Sequence, residues 1–182
     1  MIGAELLLKS VFNSGVDKIF TLSGNQIMPI YDAAIDLGIE MVHCRHEAGA
    51  VFMADGYARS SGKPGVCLLI TGPGMTNAIT AMAQARADSI PMLLISAINP
   101  VSRIKKEFGR LHQLPDQSAL IKQVALISFA RPHYSNKKAA LSGGLMRTHQ
   151  LSYLRRRTKN AANPNTCLLY TSPSPRDRQK CR

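Results

Sequence analysis

Four short apolar runs, Lys18–Leu22, Ile39–Cys44, Val66–Thr71 and Met92–Ser96, are separated by stretches too long for hairpins and patterned for helix. Strands that no tight turn can pair are joined by crossovers, and a crossover of this length is usually a helix. The repeated alternation predicts an α/β fold, an open parallel sheet with helices on both faces. Helices are expected at Ala4–Ser14, Ile27–Leu37, Glu47–Ser60 and Thr76–Asp88. Gly15 and Gly38 act as stops, and a Gly72-Pro73-Gly74 turn precedes the last helix.

The pattern stops near Phe129, and the charge changes at the same place. Residues 1–129 carry 11 Lys+Arg against 10 Asp+Glu, a net of +1. Residues 130–182 carry 12 Lys+Arg against the single acid Asp177, a net of +11. The overall +12 therefore belongs to the tail and gives no nucleic-acid signal for the first part. The tail lacks the interleaved aromatics of a nucleic-acid surface. Its end, CLLYTSPSPRDRQKCR, has no means of burying a core. Two regions are expected: a domain over 1–129 and a disordered tail over 130–182. The reading frame is expected to slip near Phe129, with roughly the last 15 residues derived from adaptor DNA.

The N-terminal stretch carries Glu5 and Lys9 inside its apolar run, so it reads as an amphipathic helix rather than a signal peptide. No apolar run approaches the roughly 20 residues that span a bilayer. A cytoplasmic location and no membrane partner are expected. Cys44, Cys67, Cys167 and Cys181 form no CxxC pair and read as reduced thiols; no metal site is expected.

Three motifs fall where strands give way to helices. In CRHEAGAVFMADGYAR, Glu47 opens a helix and is followed by the small residues Ala48, Gly49 and Ala50. A carboxylate in a first helical turn is favoured by the helix dipole alone. The preceding strand, however, delivers Glu47 to the carboxyl end of the sheet, where ligands of parallel sheets bind. A carboxylate buried there needs a hydrogen-bond donor. In LLITGPGMTNAITAMAQA, a strand runs into Gly72-Pro73-Gly74 and then a helix, and Thr76 and Asn77 read equally as caps or ligand contacts. The loop is neither a P-loop nor a GxGxxG fingerprint. In LSGNQIMPIYDA, Gly24 and Asn25 lie at the same edge, ahead of Pro29 in a first helical turn.

Together RHEAGAVFMADGYAR, TGPGMTNAI and DSIPMLLIS resemble the N-terminal, pyrimidine-binding domain of thiamine-diphosphate-dependent enzymes of the acetolactate synthase group, from about Gly3 to about Phe129. The resemblance implies that Glu47 hydrogen-bonds N1′ of the cofactor's aminopyrimidine. That bond favours the imino tautomer that takes the proton from thiazolium C2, ahead of attack on a 2-keto acid. It implies that Gly24, Asn25, Gly72, Pro73, Gly74 and Asn77 line the cofactor pocket or the subunit contact around it. A glutamine bordering the site is Gln113 or Gln117. His46 reads as core or interface as readily as site. Phe52, Met53 and Tyr57, at helical spacing, read as core or dimer interface.

The same resemblance implies Mg2+ held through a GDG-bearing domain, a 2-keto acid substrate and a homodimer or tetramer; FAD is a further option. No GDG occurs in the chain, and the family's last strand of this domain is missing after Phe129. The chain is therefore expected to hold half of one active site. RLHQLPDQ and LSGNQ depart from the acetolactate synthase pattern, which leaves a different thiamine-diphosphate 2-keto acid decarboxylase as an alternative. A non-catalytic nucleotide-binding α/β domain using the Gly72–Gly74 turn is the other.

Overall fold

The computed structural model of the chain describes residues 3–98 and 111–125. In order they form helix α1 (Gly3–Asn13), strand β1 (Lys18–Thr21), a 3-10 turn (Asn25–Ile27), α2 (Met28–Leu37) and β2 (Glu40–His43). Then come α3 (Glu47–Ser61), β3 (Gly65–Leu69), α4 (Pro73–Ala87), β4 (Met92–Ser96) and α5 (Gln117–Lys122). The strands make one sheet in the order β2-β1-β3-β4, with every pairing parallel. The expected last strand, the tail, Cys167 and Cys181 lie outside the described residues.

β3 explains how the sheet is covered. All five of its residues are buried. Alternate side chains point to opposite faces, so a strand buried on both sides must be apolar throughout. Val66 and Leu68 pack with Leu8 and Val11 of α1 and with Ala33 and Ala34 of α2. Cys67 and Leu69 face Ala50, Val51 and Ala54 of α3 and Met75, Ala78 and Ala81 of α4. The alanines let α3 and α4 approach each other and the sheet closely. Phe20 on that face meets Tyr57, ring centroids 5.7 Å apart and tilted by 56°. Tyr57 thus belongs to the core margin, whereas Phe52 and Met53 are exposed. Cys44 and Cys67 are buried free thiols, and burial pushes the Cys67 thiol well up.

Two boundaries differ from the sequence reading. β3 ends at Leu69 rather than Thr71, because the Thr71 N–H leaves the ladder to donate to Gln26 Oε1 at 3.2 Å. α4 starts at Pro73 rather than near Thr76. Gly72 turns the chain alone, at φ 63°, and Pro73 supplies the first helical residue, where its missing N–H costs nothing. Gly72-Pro73-Gly74 is therefore a one-residue turn followed by helix.

Arg59 ties α3 to the end of α4. Its Nε donates to Asp55 Oδ2 at 2.7 Å and its Nη2 to Asp88 Oδ2 at 2.6 Å. Gln84 Nε2 also donates to Asp88, at 2.8 Å. Arg59 first, then Gln84, holds the Asp88 carboxyl below its ordinary 3.8. Lys63, just beyond the end of α3, does the same to Asp17. A carboxyl depressed in the folded state adds stability that is complete above its unfolded value and is lost as pH falls through the folded one.

The packing sets a clear contrast between two substitutions. Leu68→Ala should lower unfolding free energy by about 2–5 kcal/mol in urea titration, while Ile35→Ala, 80% exposed, should change it by less than about 0.5. Arg59→Met should remove part of the acid-side loss: stability plotted against pH below about 4 should fall less steeply than in the parent chain.

Candidate functional site

The parallel strands send three βα turns to one edge of the sheet: β1 to α2, β2 to α3, and β3 to α4. Glu47 opens α3 just beyond β2. The turn before it is fixed by Cys44, whose N–H donates to the Thr21 carbonyl at 2.9 Å and whose Sγ lies 3.1 Å from both the Thr21 and His46 carbonyls. His46 is not a core residue. It is exposed and caps α3, its Nδ1 accepting from the Ala48 N–H at 3.2 Å.

Glu47 is only 8% exposed. Asn77, on the second turn of α4, donates from Nδ2 to Glu47 Oε2 at 2.9 Å. Among the described residues Oε1 accepts no hydrogen bond, and no buried side-chain polar atom lacks a partner. The carboxylate is thus held at one oxygen and open at the other. A Cβ added to Gly74 would stand 3.7 Å from that open oxygen. Two helices therefore build the pair, α3 contributing the acid and α4 the donor.

The glycines have a second reason to be there. A Cβ on Gly24 would collide with Ile70 Cγ2, and one on Gly74 would come 2.6 Å from Ile70 Cγ1. Ile70 wedges between the first and third turns, and both give up a side chain to seat it. Gly72 is crowded as well: a Cβ there would collide with the His112 carbonyl oxygen. Sequence reasoning attributed these glycines to ligand approach and missed Ile70 and His112, since no local pattern marks a residue as a wedge. Asn25 and Pro73 are exposed at the same edge.

Of the two glutamines, Gln117 reaches the turn. Its Oε1 accepts from Thr71 Oγ1 at 2.5 Å and from the Gly72 N–H at 3.0 Å. Its Nε2 lies 3.2 Å from Ser96 Oγ and 3.3 Å from the Ala97 carbonyl. Gln113 is half-buried in the segment leading to α5. On the other side of the sheet, Thr21 Oγ1 joins Tyr31 Oη (2.8 Å) to the Leu68 carbonyl (2.7 Å), and burial raises the Tyr31 phenol.

A parallel α/β domain that gathers glycine turns and a buried carboxylate at the carboxyl edge of its sheet is a ligand-binding domain of the doubly wound type. Comparison with known proteins is specific: the chain belongs to the family described as thiamine pyrophosphate enzyme, N-terminal TPP binding domain, whose profile matches residues 1–120. The chain is 47% identical over 124 residues to a probable 2-ketoarginine decarboxylase, AruI, of Pseudomonas aeruginosa, covering 68% of this chain and 22% of that protein. It is 52% identical over 95 residues to the acetolactate synthase large subunit of Buchnera aphidicola, covering 52% of this chain and 17% of the relative. With the isozyme 2 large subunit of Escherichia coli acetolactate synthase it shares 48% over 96 residues, 53% of this chain and 18% of the relative. The chain thus spans about a fifth of the length of these relatives. Among the described residues no helix is long and apolar enough to cross a membrane.

Gly74→Ala should drive a methyl into Ile70 and cost about 1–3 kcal/mol in chemical denaturation. In an Ile70→Ala background, which lacks the Cγ1 carbon in the way, Gly74→Ala should cost less than it does in the parent chain, because the two changes meet at one contact.

Proposed function

We propose that this chain is the pyrimidine-binding part of a thiamine-diphosphate-dependent 2-keto acid decarboxylase or carboligase. Glu47 is the carboxylate that holds N1′ of the cofactor's aminopyrimidine. The observation that carries this reading is the buried carboxylate with one oxygen engaged by Asn77 and the other open beside Gly74. Such a group suits a ring nitrogen that gains a proton, since a buried carboxylate is best satisfied by a donor of its own.

Thiamine diphosphate, when bound, supplies the electron sink for decarboxylation of a 2-keto acid. The residues of this chain bind and orient. Glu47 accepts a hydrogen bond from N1′, and burial keeps water from competing for it. Asn77 fixes the carboxylate's rotation through Oε2. Gly24, Asn25, Gly72, Pro73 and Gly74 form the rim, with Gln113 and Gln117 behind the third turn. Magnesium and the diphosphate fall to another domain, supplied by a second subunit in a homodimer or tetramer.

A decarboxylase acting on a 2-keto acid is favoured over a synthase by two observations. The match to the 2-ketoarginine decarboxylase extends over 124 residues, against 95 and 96 for the two synthases above. LSGNQ and RLHQLPDQ are also the stretches that depart from the synthase pattern.

Glu47→Gln in the full-length enzyme tests the role of the acid. The exchange of the C2 proton of bound thiamine diphosphate for deuterium should slow by about 10²–10⁴-fold, the range for loss of an acid–base group. Cofactor affinity should change far less. A domain that used the Gly72–Gly74 turn for a nucleotide would bind no thiamine diphosphate, and Glu47→Gln would leave its nucleotide binding unchanged.

A further inference from the structure

We propose that Gln117 is a positioning residue for the Glu47–Asn77 pair; calling that pair a site rests on the functional reading above. The Gln117 amide is a four-way junction. Its oxygen accepts from the Thr71 hydroxyl (2.5 Å) and from the N–H of Gly72 (3.0 Å), the last residue before α4. Its nitrogen reaches Ser96 Oγ (3.2 Å) and the Ala97 carbonyl (3.3 Å), at the end of β4. Ser96 Oγ in turn donates to the Ile70 carbonyl at 3.1 Å. From the other side Gln26 Oε1 accepts the Thr71 N–H at 3.2 Å. Two glutamines, one from each flank, therefore grip two consecutive residues of the third turn.

The grip matters because it sets the start of α4. Gly72 is the residue that turns the chain into that helix, at φ 63°. Its N–H precedes the helix and has no place in the helical ladder, so a side chain must satisfy it. Asn77 lies five residues further along, and its amide sets Glu47 Oε2. Rotating or sliding the start of α4 would move Asn77 against Glu47, which is anchored on α3. Gln117 fixes that start relative to β4, and the fold places it there through a short helix of its own. Asp116 caps this helix, its Oδ1 accepting from the Ala119 N–H at 2.9 Å. Ile121, one turn further along the same face as Gln117, buries this helix against the α3–α4 core.

The test is amide exchange and side-chain NMR on the full chain, with Gln117→Met and Gln117→Glu beside the parent. Methionine keeps the length and removes all four contacts; glutamate keeps the acceptor for Thr71 and Gly72. Gly72 protection should fall about tenfold with Met, the equivalent of one lost hydrogen bond, and stay within about twofold of the parent with Glu. The Asn77 side-chain amide and Glu47 carboxyl signals should shift with Met alone, while amides of α1 and β2 stay put. Unchanged Gly72 protection with Met overturns the proposal. So does a fall spread equally over all strands, or a change at Gly72 that leaves Asn77 and Glu47 unmoved. Should the Met chain fail to fold, Gln117→Asn, one methylene short of the turn, is expected to give the Met pattern, and the same outcomes overturn the proposal. No cofactor enters the measurement, so an error in the cofactor reading would appear in the Glu47→Gln exchange experiment and leave this result untouched.

Discussion

The parallel pairing of β1, β2 and β3 is the constraint on which the candidate site rests. Because the strands point the same way, each must hand the chain to a helix at the same edge, and three βα turns collect there. Glu47 and Asn77, far apart in sequence, are brought to the same edge by this pairing. β3 sits between β1 and β4 and is buried throughout, so the turn after it lies in the middle of that edge. It receives side chains from both directions, Gln26 on one flank and Gln117 on the other.

A buried carboxylate is a liability until something donates to it. Glu47 solves half of that problem inside the chain and leaves half open. The helix dipole of α3 and the donor on α4 stabilise the charge, and the surrounding glycines are held short by Ile70 rather than by chance. The protein side of the site is built from short turns and helix starts. Its floor is made of Ile70 and its walls of helix starts, and none of these is a long flexible loop.

The fold was legible in the sequence because β3 is uniformly apolar and the helices keep their period, so element type never hung on a single residue. The boundaries that slipped did so at Thr71 and Pro73, where side chains from distant segments decide. Gln26 draws Thr71 out of the strand, and nothing within Val66–Gly74 announces that. The placement of Glu47 at the ligand edge followed from strand direction. Its burial was inferred from Ala48, Gly49 and Ala50, and the structure gives it. Which donor it would meet was open, as Asn77 read equally well as a cap. Ile70 looked like one more strand residue; its wedge role depends on two turns that are distant in sequence. Gln117 and Gln113 could not be separated by pattern, because what distinguishes Gln117 is its distance from Thr71 and Gly72 across the end of β4.

The two outer strands of the sheet are unlike each other. β2 begins at Glu40, which pairs with Lys18 on the neighbouring strand, and ends at exposed His43, which is bonded to Ser23. Charge and polarity at a strand's ends discourage a foreign strand from docking there. β4, with the sequence MLLIS, is the last strand on the other side among the described residues, and it carries no charge. Its outer row of N–H and C=O groups is a pairing template set among apolar side chains. A further strand joining this sheet, whether from this chain or another, would therefore meet less resistance beside β4 than beside β2.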